Sequence, residues 1–256
     1  MVRFHGCSSD TYKMPNKPIK QGYKIFALAD NSYVWYFQLS SRQHGIGELK
    51  KVDELTPTSS MVLQMAQLLP KIPNSYFVIY MDNYFTSIPL FSMLRKQNIG
   101  VAGTTRPSGI DFPALLIVLR KKWSTKLDWG TTAADVVDGV LCIGWQDNNF
   151  VLGLSTIHTV YEASSWVSSK RNRPATTSTN ATITRKLFGD SAFMILDIPL
   201  WVDDYNHNMN AVDLANQFRQ PYDTQRIAFR TWIPLLYWIL DQAAINAYKL
   251  AIVGKT

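Results

Sequence analysis

Residues 76–87, YFVIYMDNYFTS, decide how the chain is read. Aromatic and β-branched side chains dominate up to Tyr80, a composition that packs well in a strand. The run then closes on Met81, Asp82 and Asn83. So continuous an apolar run has no polar face, which predicts a strand covered on both sides, as in a parallel α/β sheet. A carboxylate just past such a strand has two readings. Functional sites of α/β proteins collect at the carboxyl ends of strands. A lone Asp there also serves to cap the helix that follows.

Working outward, SIPLFSMLRKQN (87–98) reads as a short helix with Pro89 in its first turn, and IGVAGTT (99–105) as another buried strand. Upstream, KIFALAD (24–30) and YVWYFQLS (33–40) read as strands joined at Asn31-Ser32, a pair suited to a tight hairpin. A loop, RQHGIGELKKVDELTPT, follows. The spacing of MVLQMAQLLP (61–70) predicts a helix, with Thr58, Ser59 and Ser60 placed to cap it. The order to residue 105 is strand, strand, helix, strand, helix, strand. Regularity then lapses over 106–132. VVDGVLCIGWQDNNFVLGLST (136–156) reads as two β runs around a QDNN turn, and SSKRNRPATTSTNATITRK (168–186) as a basic loop rich in Ser and Thr. Two helices close the chain, one over MNAVDLANQFRQPY (209–222) and one from near Pro234 to near Val253.

Composition bounds the function. Of 256 residues, 26 are Lys or Arg and 19 Asp or Glu, a net charge of +7. That balance favours a polyanionic partner, nucleic acid first. A hydrophobic share of 46% supports a substantial core, and an 18% charged share argues against disorder. Cys7 and Cys142 lie far apart, without metal-ligand spacing, and read as free thiols in a reducing compartment. MVRFHGCSSD lacks the apolar run of a signal peptide. The most apolar stretch, WIPLLYWILDQAAINAYKLAIV (232–253), is broken by Asp241, Gln242, Asn246 and Lys249. It therefore reads as a buried helix rather than a membrane span.

A pair of Mg²⁺ ions acting on a phosphodiester sits about 4 Å apart, and Mg²⁺ prefers carboxylate oxygens and retained waters. Such pairs take carboxylates from separate elements. Asp82 is the strand-end candidate and Asp213 the helix candidate. The plain alternatives are a helix cap for Asp82 and a solvated helix charge for Asp213.

The wording of the motifs goes further. MPNKPIKQGYKIFALAD (14–30), MDNYFTSIPLFSMLRK (81–96), GTTRPS (103–108), WQDNNFVLGLSTIH (145–158) and DDYNHNMNAVDLANQFRQPY (203–222) occur in this order. Together they resemble the catalytic domain of piggyBac-family transposases, including transposable-element-derived relatives, over essentially the whole chain. The resemblance implies an α/β, RNase H-like mixed sheet with flanking helices and a mainly β insertion. It divides the chain into a first part of the core at 1–106, the insertion at 107–198, and helices completing the core at 199–256. It implies cut-and-paste DNA transposition in the nucleus, by an aspartate triad with Mg²⁺ or Mn²⁺, by proteins that act as homodimers on DNA. Asp82 matches the second catalytic aspartate. Asp213, in NAVD where the family writes Gly-Gly-Val-Asp, matches the third.

The chain departs from that pattern in three places. The family's first aspartate precedes an RF-x-G segment, here Arg3-Phe4-His5-Gly6, so it would fall before Met1. Position 216, which some members make acidic one helical turn after the third aspartate, is Asn216, a neutral and weaker ligand. The acidic amino-terminal region and the cysteine-rich zinc domain of the family are not in this sequence. The expectation is an amino-terminally truncated, inactive domain with no tightly bound metal. The alternatives are a non-enzymatic DNA-binding remnant retained by the host, or a chain that does not fold stably. Asp30 reads as a turn residue rather than a substitute ligand.

Several basic and aromatic residues carry two readings each. Lys17, Lys20 and Lys24, around PNKP, are phosphate contacts or a solvated loop. Arg106, past a buried strand, is similar. Lys170, Arg171 and Arg173 form a DNA-backbone contact, a localisation patch or a plain basic loop. His158 reads as a hydrogen-bonded structural histidine. Trp129 and Trp145 read as core rather than base-stacking platforms.

Overall fold

The computed structural model describes residues 1–47, 49–73, 75–108, 111–120, 127–178 and 180–254, and within it the chain forms two units. One comprises Met1–Pro70 with Asn210–Thr256, the other Lys71–Met209. Of the three segments read from the sequence, the middle one, 107–198, has residues 109–110, 121–126 and 179 outside the described residues.

The first unit is built on a meander. β1 (Val2–Arg3) and β2 (Tyr12–Lys13) both pair antiparallel with β3 (Gln21–Asp30), which pairs with β4 (Tyr33–Ser41), and that with β5 (Gly45–Ile46). The β3–β4 turn holds Asn31 at φ 42° and Ser32 at φ 73°. Two successive left-handed residues make the primed turn whose twist matches a hairpin. Helix α1 (Pro57–Gln67) follows. Its cap is Thr56, whose side chain accepts from the Ser59 amide at 3.2 Å, with Pro57 in the first turn. The sequence reading places that cap at Thr58–Ser60. Pro57 has no N–H to satisfy and a φ already set for a helix, so the helix starts there.

The second unit opens with a βαβ crossover. β6 (Val78–Met81) and β7 (Gly100–Thr104) are parallel, joined through α2 (Ile88–Lys96). β6 is shorter than the apolar run suggests, and Tyr76 is exposed. Ser87 caps α2, its Oγ accepting from the Leu90 amide. The far end closes as a Schellman motif. Ile99 N–H donates to Leu94 O and Asn98 N–H to Arg95 O, with Asn98 left-handed at φ 58°. This stop aims the chain straight into β7.

α3 (Ala114–Val118) precedes three antiparallel strands, β8 (Thr132–Val137), β9 (Val140–Gln146) and β10 (Phe150–Ser155). The sheet order is β6-β7-β10-β9-β8, so the sheet is mixed. β9 is buried along its whole length. The sequence reading runs Val136 to Gln146 as one strand. Asp138 at φ 51° and Gly139 at φ 73° break it into a hairpin, because Asp-Gly suits a primed turn.

The basic segment is another correction. β11 (Trp166–Asn172) pairs antiparallel with β12 (Phe193–Pro199), so Lys170 and Arg171 lie on a strand rather than in a loop. α4 (Ala181–Thr184) lies between them. α5 (Leu200–Asn208) then follows β12, a helix the sequence reading does not separate. Trp201, 1% exposed, docks it: a Cβ on Gly153 would stand 2.6 Å from the indole, so only glycine leaves β10 open to it.

α6 (Ala211–Arg219) and α7 (Ile233–Val253) return to the first unit. Val2, Phe4 and Tyr23 pack with Trp238 of α7. The sequence reading makes α7 a buried helix, but only one side of it is. Trp238, Asp241, Gln242 and Ile245 are buried, whereas Leu236, Ile239, Leu240 and Leu250 are exposed. No described helix is long and apolar enough to cross a membrane.

Candidate functional site

Asp82 is the first residue past β6, and it is exposed. Its Oδ1 accepts from the Tyr84 amide at 2.8 Å and its carbonyl from the Phe85 amide at 3.1 Å. The carboxylate therefore anchors a tight turn of its own. It does not cap α2, since Ser87 does. The turn is tied to the neighbouring strand where Thr86 Oγ1 donates to Thr104 O at 2.7 Å.

Behind this turn lies a polar network that sequence reasoning misses. Tyr80 OH donates to Asp204 Oδ2 at 2.5 Å, and His158 Nε2 lies 3.1 Å from the same oxygen. Asn208 Nδ2 donates to Asp204 Oδ1 at 3.0 Å. Ser155 Oγ accepts from the amides of Ile157 and His158, each at 3.1 Å, and lies 2.7 Å from His158 Nδ1. With both lone pairs engaged, the Ser155 hydroxyl donates to Nδ1, which leaves the proton of a neutral His158 on Nε2, facing Asp204. Burial lowers the His158 pKa, and the Asp204 charge opposes that shift. Burial also raises the Tyr80 pKa, with Asp204 adding to it. His158 is thus the structural histidine expected of it. The only sequence signal for Asp204 is its place in DDYNH.

The next residue of α5 faces the same strand ends. Tyr205 is buried, its hydroxyl 3.5 Å from Thr104 Oγ1. Burial raises its pKa, and the Asp82 charge contributes.

In the other unit, Asp213 occupies the first turn of α6, where a negative charge suits the helix dipole. Asn216 lies one turn on, along the same face. Both are exposed. Asn216 Oδ1 already accepts from Arg219 Nη2 at 3.0 Å. Arg219 is a residue the sequence reading omits. It is half-buried, its guanidinium 5.8 Å from the Trp238 ring, and burial lowers its pKa.

The basic residues divide into exposed and engaged. Lys17 and Lys20 are exposed around a turn closed by Lys17 N–H on Met14 O. Lys24 is half-buried, its Nζ 4.5 Å from the centre of the Phe26 ring. Arg106 is exposed just past β7. Lys170 Nζ sits 3.9 Å over the Phe193 ring. Arg171 lies 3.8 Å from Asp147 and 5.4 Å from the Trp145 ring. Arg173 is half-buried, and its backbone amide donates to Ala192 O. Trp145 is fully buried and Trp129 packs edge-on against it, as core. Cys7 is exposed, and the Cys142 thiol is pushed up to about 12 by burial.

In kind, Asp82 and Asp213 fit Mg²⁺, as hard carboxylate oxygens. Among the described residues no group of three or more His, Cys, Asp or Glu gathers to hold a metal ion.

The second unit thus ends a parallel strand of a mixed sheet on an exposed aspartate, the kind of position where sites of α/β proteins collect. The family described as Transposase IS4 matches residues 1–248, and the chain belongs to that family. Human PiggyBac transposable element-derived protein 3 is 30% identical over 151 residues, 57% of this chain and 24% of the relative. The human Chimeric ERCC6-PGBD3 protein is 30% identical over the same length, which is 13% of that relative. The chain thus aligns with a quarter or less of these relatives. A piggyBac transposase solved as a synaptic complex with hairpin DNA superposes with a TM-score of 0.68 at 22% identity, over 96% of this chain and 44% of that one. The piggyBac resemblance holds, and so does the RNase H-like fold it implies.

Proposed function

We propose that this chain is the catalytic-fold part of a piggyBac-like transposase-derived protein whose chemistry is two-metal phosphodiester transfer on DNA in the nucleus. Asp82 and Asp213 each serve as a carboxylate ligand for Mg²⁺ or Mn²⁺, and Asn216 stands beside Asp213 as a neutral oxygen. The observation that carries this reading is the exposed Asp82 carboxylate on its own turn at the end of a parallel strand. The bound metals would stabilise the attacking and leaving oxygens. The exposed Lys17, Lys20 and Arg106 contact the DNA backbone. The test is nicking of a supercoiled plasmid with Mn²⁺. Cleavage by the 256-residue chain, lost in Asp82→Asn and in Asp213→Asn, supports the whole reading. Cleavage that survives both substitutions overturns the roles of the two aspartates.

A second reading is that this chain, by itself, binds DNA without cutting it. It is favoured because no three candidate ligands gather among the described residues. Plasmid left intact, with salt-sensitive DNA binding, supports it. No binding at low salt rejects it. Assembly as a homodimer on DNA belongs to the same proposal, and sedimentation with and without duplex tests it.

A further inference from the structure

We infer that α5 is a positioning element for Asp82, with Tyr80 and Asp204 as positioning residues that hold the end of β6 and the turn carrying the carboxylate. The inference deepens the proposed role of Asp82 and rests on it.

The geometry runs through one oxygen. Tyr80 lies in β6 two residues before Asp82, which opens the turn directly past the strand. Tyr80 OH is held by Asp204 Oδ2, which also faces His158 Nε2. Asp204 Oδ1 is held by Asn208, one turn along α5. Every proton in the chain Ser155, His158, Asp204, Tyr80 has a single consistent place, so the carboxylate has little freedom to turn. The helix itself is fixed by Trp201 against Gly153. Its next residue, Tyr205, reaches Thr104, whose carbonyl holds Thr86 at the far end of the Asp82 turn. α5 therefore grips the strand before Asp82 and the strand end beside it. A network whose role was only to hold α5 to the sheet would have no effect on that exposed turn.

The experiment uses Tyr80→Phe in the 256-residue chain, which removes one hydroxyl and keeps the ring. Asp204→Asn is the second variant. Solvent exchange of the Tyr84 and Phe85 amides, the donors to Asp82, is followed by NMR, with the β9 and β10 amides as reference. Exchange at these two sites should rise about fivefold, the scale of one net hydrogen bond, while the reference amides stay constant. Mn²⁺ is added to the same samples, and line broadening over residues 82–85 is titrated. Both variants should need about tenfold more Mn²⁺, the usual effect of losing a supporting partner of a ligand. Exchange and Mn²⁺ response unchanged within twofold in both variants overturn the inference and leave Asp82 as a ligand. Faster exchange with no broadening even in the unaltered chain supports the coupling but removes the metal role of Asp82. Neither effect in any chain rejects both.

Discussion

The Asn246 side chain makes both backbone hydrogen bonds of Val34. Its Oδ1 accepts from Val34 N–H at 3.0 Å and its Nδ2 donates to Val34 O at 2.9 Å. Gln242 Nε2 donates to the same Oδ1 at 3.1 Å, which fixes the amide orientation. A helix side chain thus stands in for a neighbouring strand beside β4. This explains why α7 buries Gln242 on its inner face while leucines lie outside. Asn246→Ala leaves both groups of Val34 unpaired and should cost about 1–3 kcal/mol. A urea titration should show a lower midpoint at unchanged slope.

Gly153 and Trp201 should behave as one unit. Gly153→Ala drives a methyl into the indole and should cost about 1–3 kcal/mol. Trp201→Ala should cost about 3–5 kcal/mol by emptying the site. With the indole gone, the added methyl has nothing to strike. Gly153→Ala should therefore be close to neutral in the Trp201→Ala background, a strongly non-additive cycle. Thermal melts of the four proteins decide it. Additive costs would mean that the indole is not the constraint on position 153.

These two pairs also mark what sequence can carry. Asn31-Ser32 and the α2 stop at Asn98 follow from local rules, because each is set by residues adjacent in the chain, and β6 and β7 show in the sequence as apolar runs on either side of a short helix. Asp138-Gly139 obeys the same rule, but the apolar run on either side hides it. The strand over Lys170 and Arg171 has no local signature. Its stability comes from pairing with Phe193–Pro199, and from Phe193 and Trp145 lying against its cations. α7 misleads because its polar residues satisfy a strand edge, so apolar count no longer reports burial. Asp82 is visible as a strand-end carboxylate, whereas Asp204 is not. Its partners Tyr80 and His158 stand far from it in sequence, and only the fold brings them together.

His158 predicts a pH dependence of stability. Burial holds its folded pKa below the ordinary value near 6.5. The unfolded chain then takes up the proton first as pH falls. Stability from the neutral ring is complete above about 6.5 and is lost as pH drops from there toward the folded pKa. His158→Gln should flatten denaturation midpoints measured between about pH 7 and 5. A slope identical in the variant would assign the acid sensitivity elsewhere.

The basic residues separate by what already holds them. Lys17 and Lys20 are exposed on one turn, so their charges remain available to phosphates. Arg171 faces Asp147 and the Trp145 ring, and leaving that position would strand a carboxylate whose pKa burial already raises. Each phosphate contact adds about one to the slope of log K against log salt. Lys17→Ala and Lys20→Ala should therefore each weaken duplex binding, lower that slope by about one and leave the melting temperature unchanged. Arg171→Ala should do the reverse, lowering the melting temperature with little change in the salt slope. Fluorescence anisotropy over a salt series, beside thermal melts, checks both halves. If Arg171→Ala instead lowers the slope and spares stability, the strand cations rather than the Lys17 turn carry the DNA backbone.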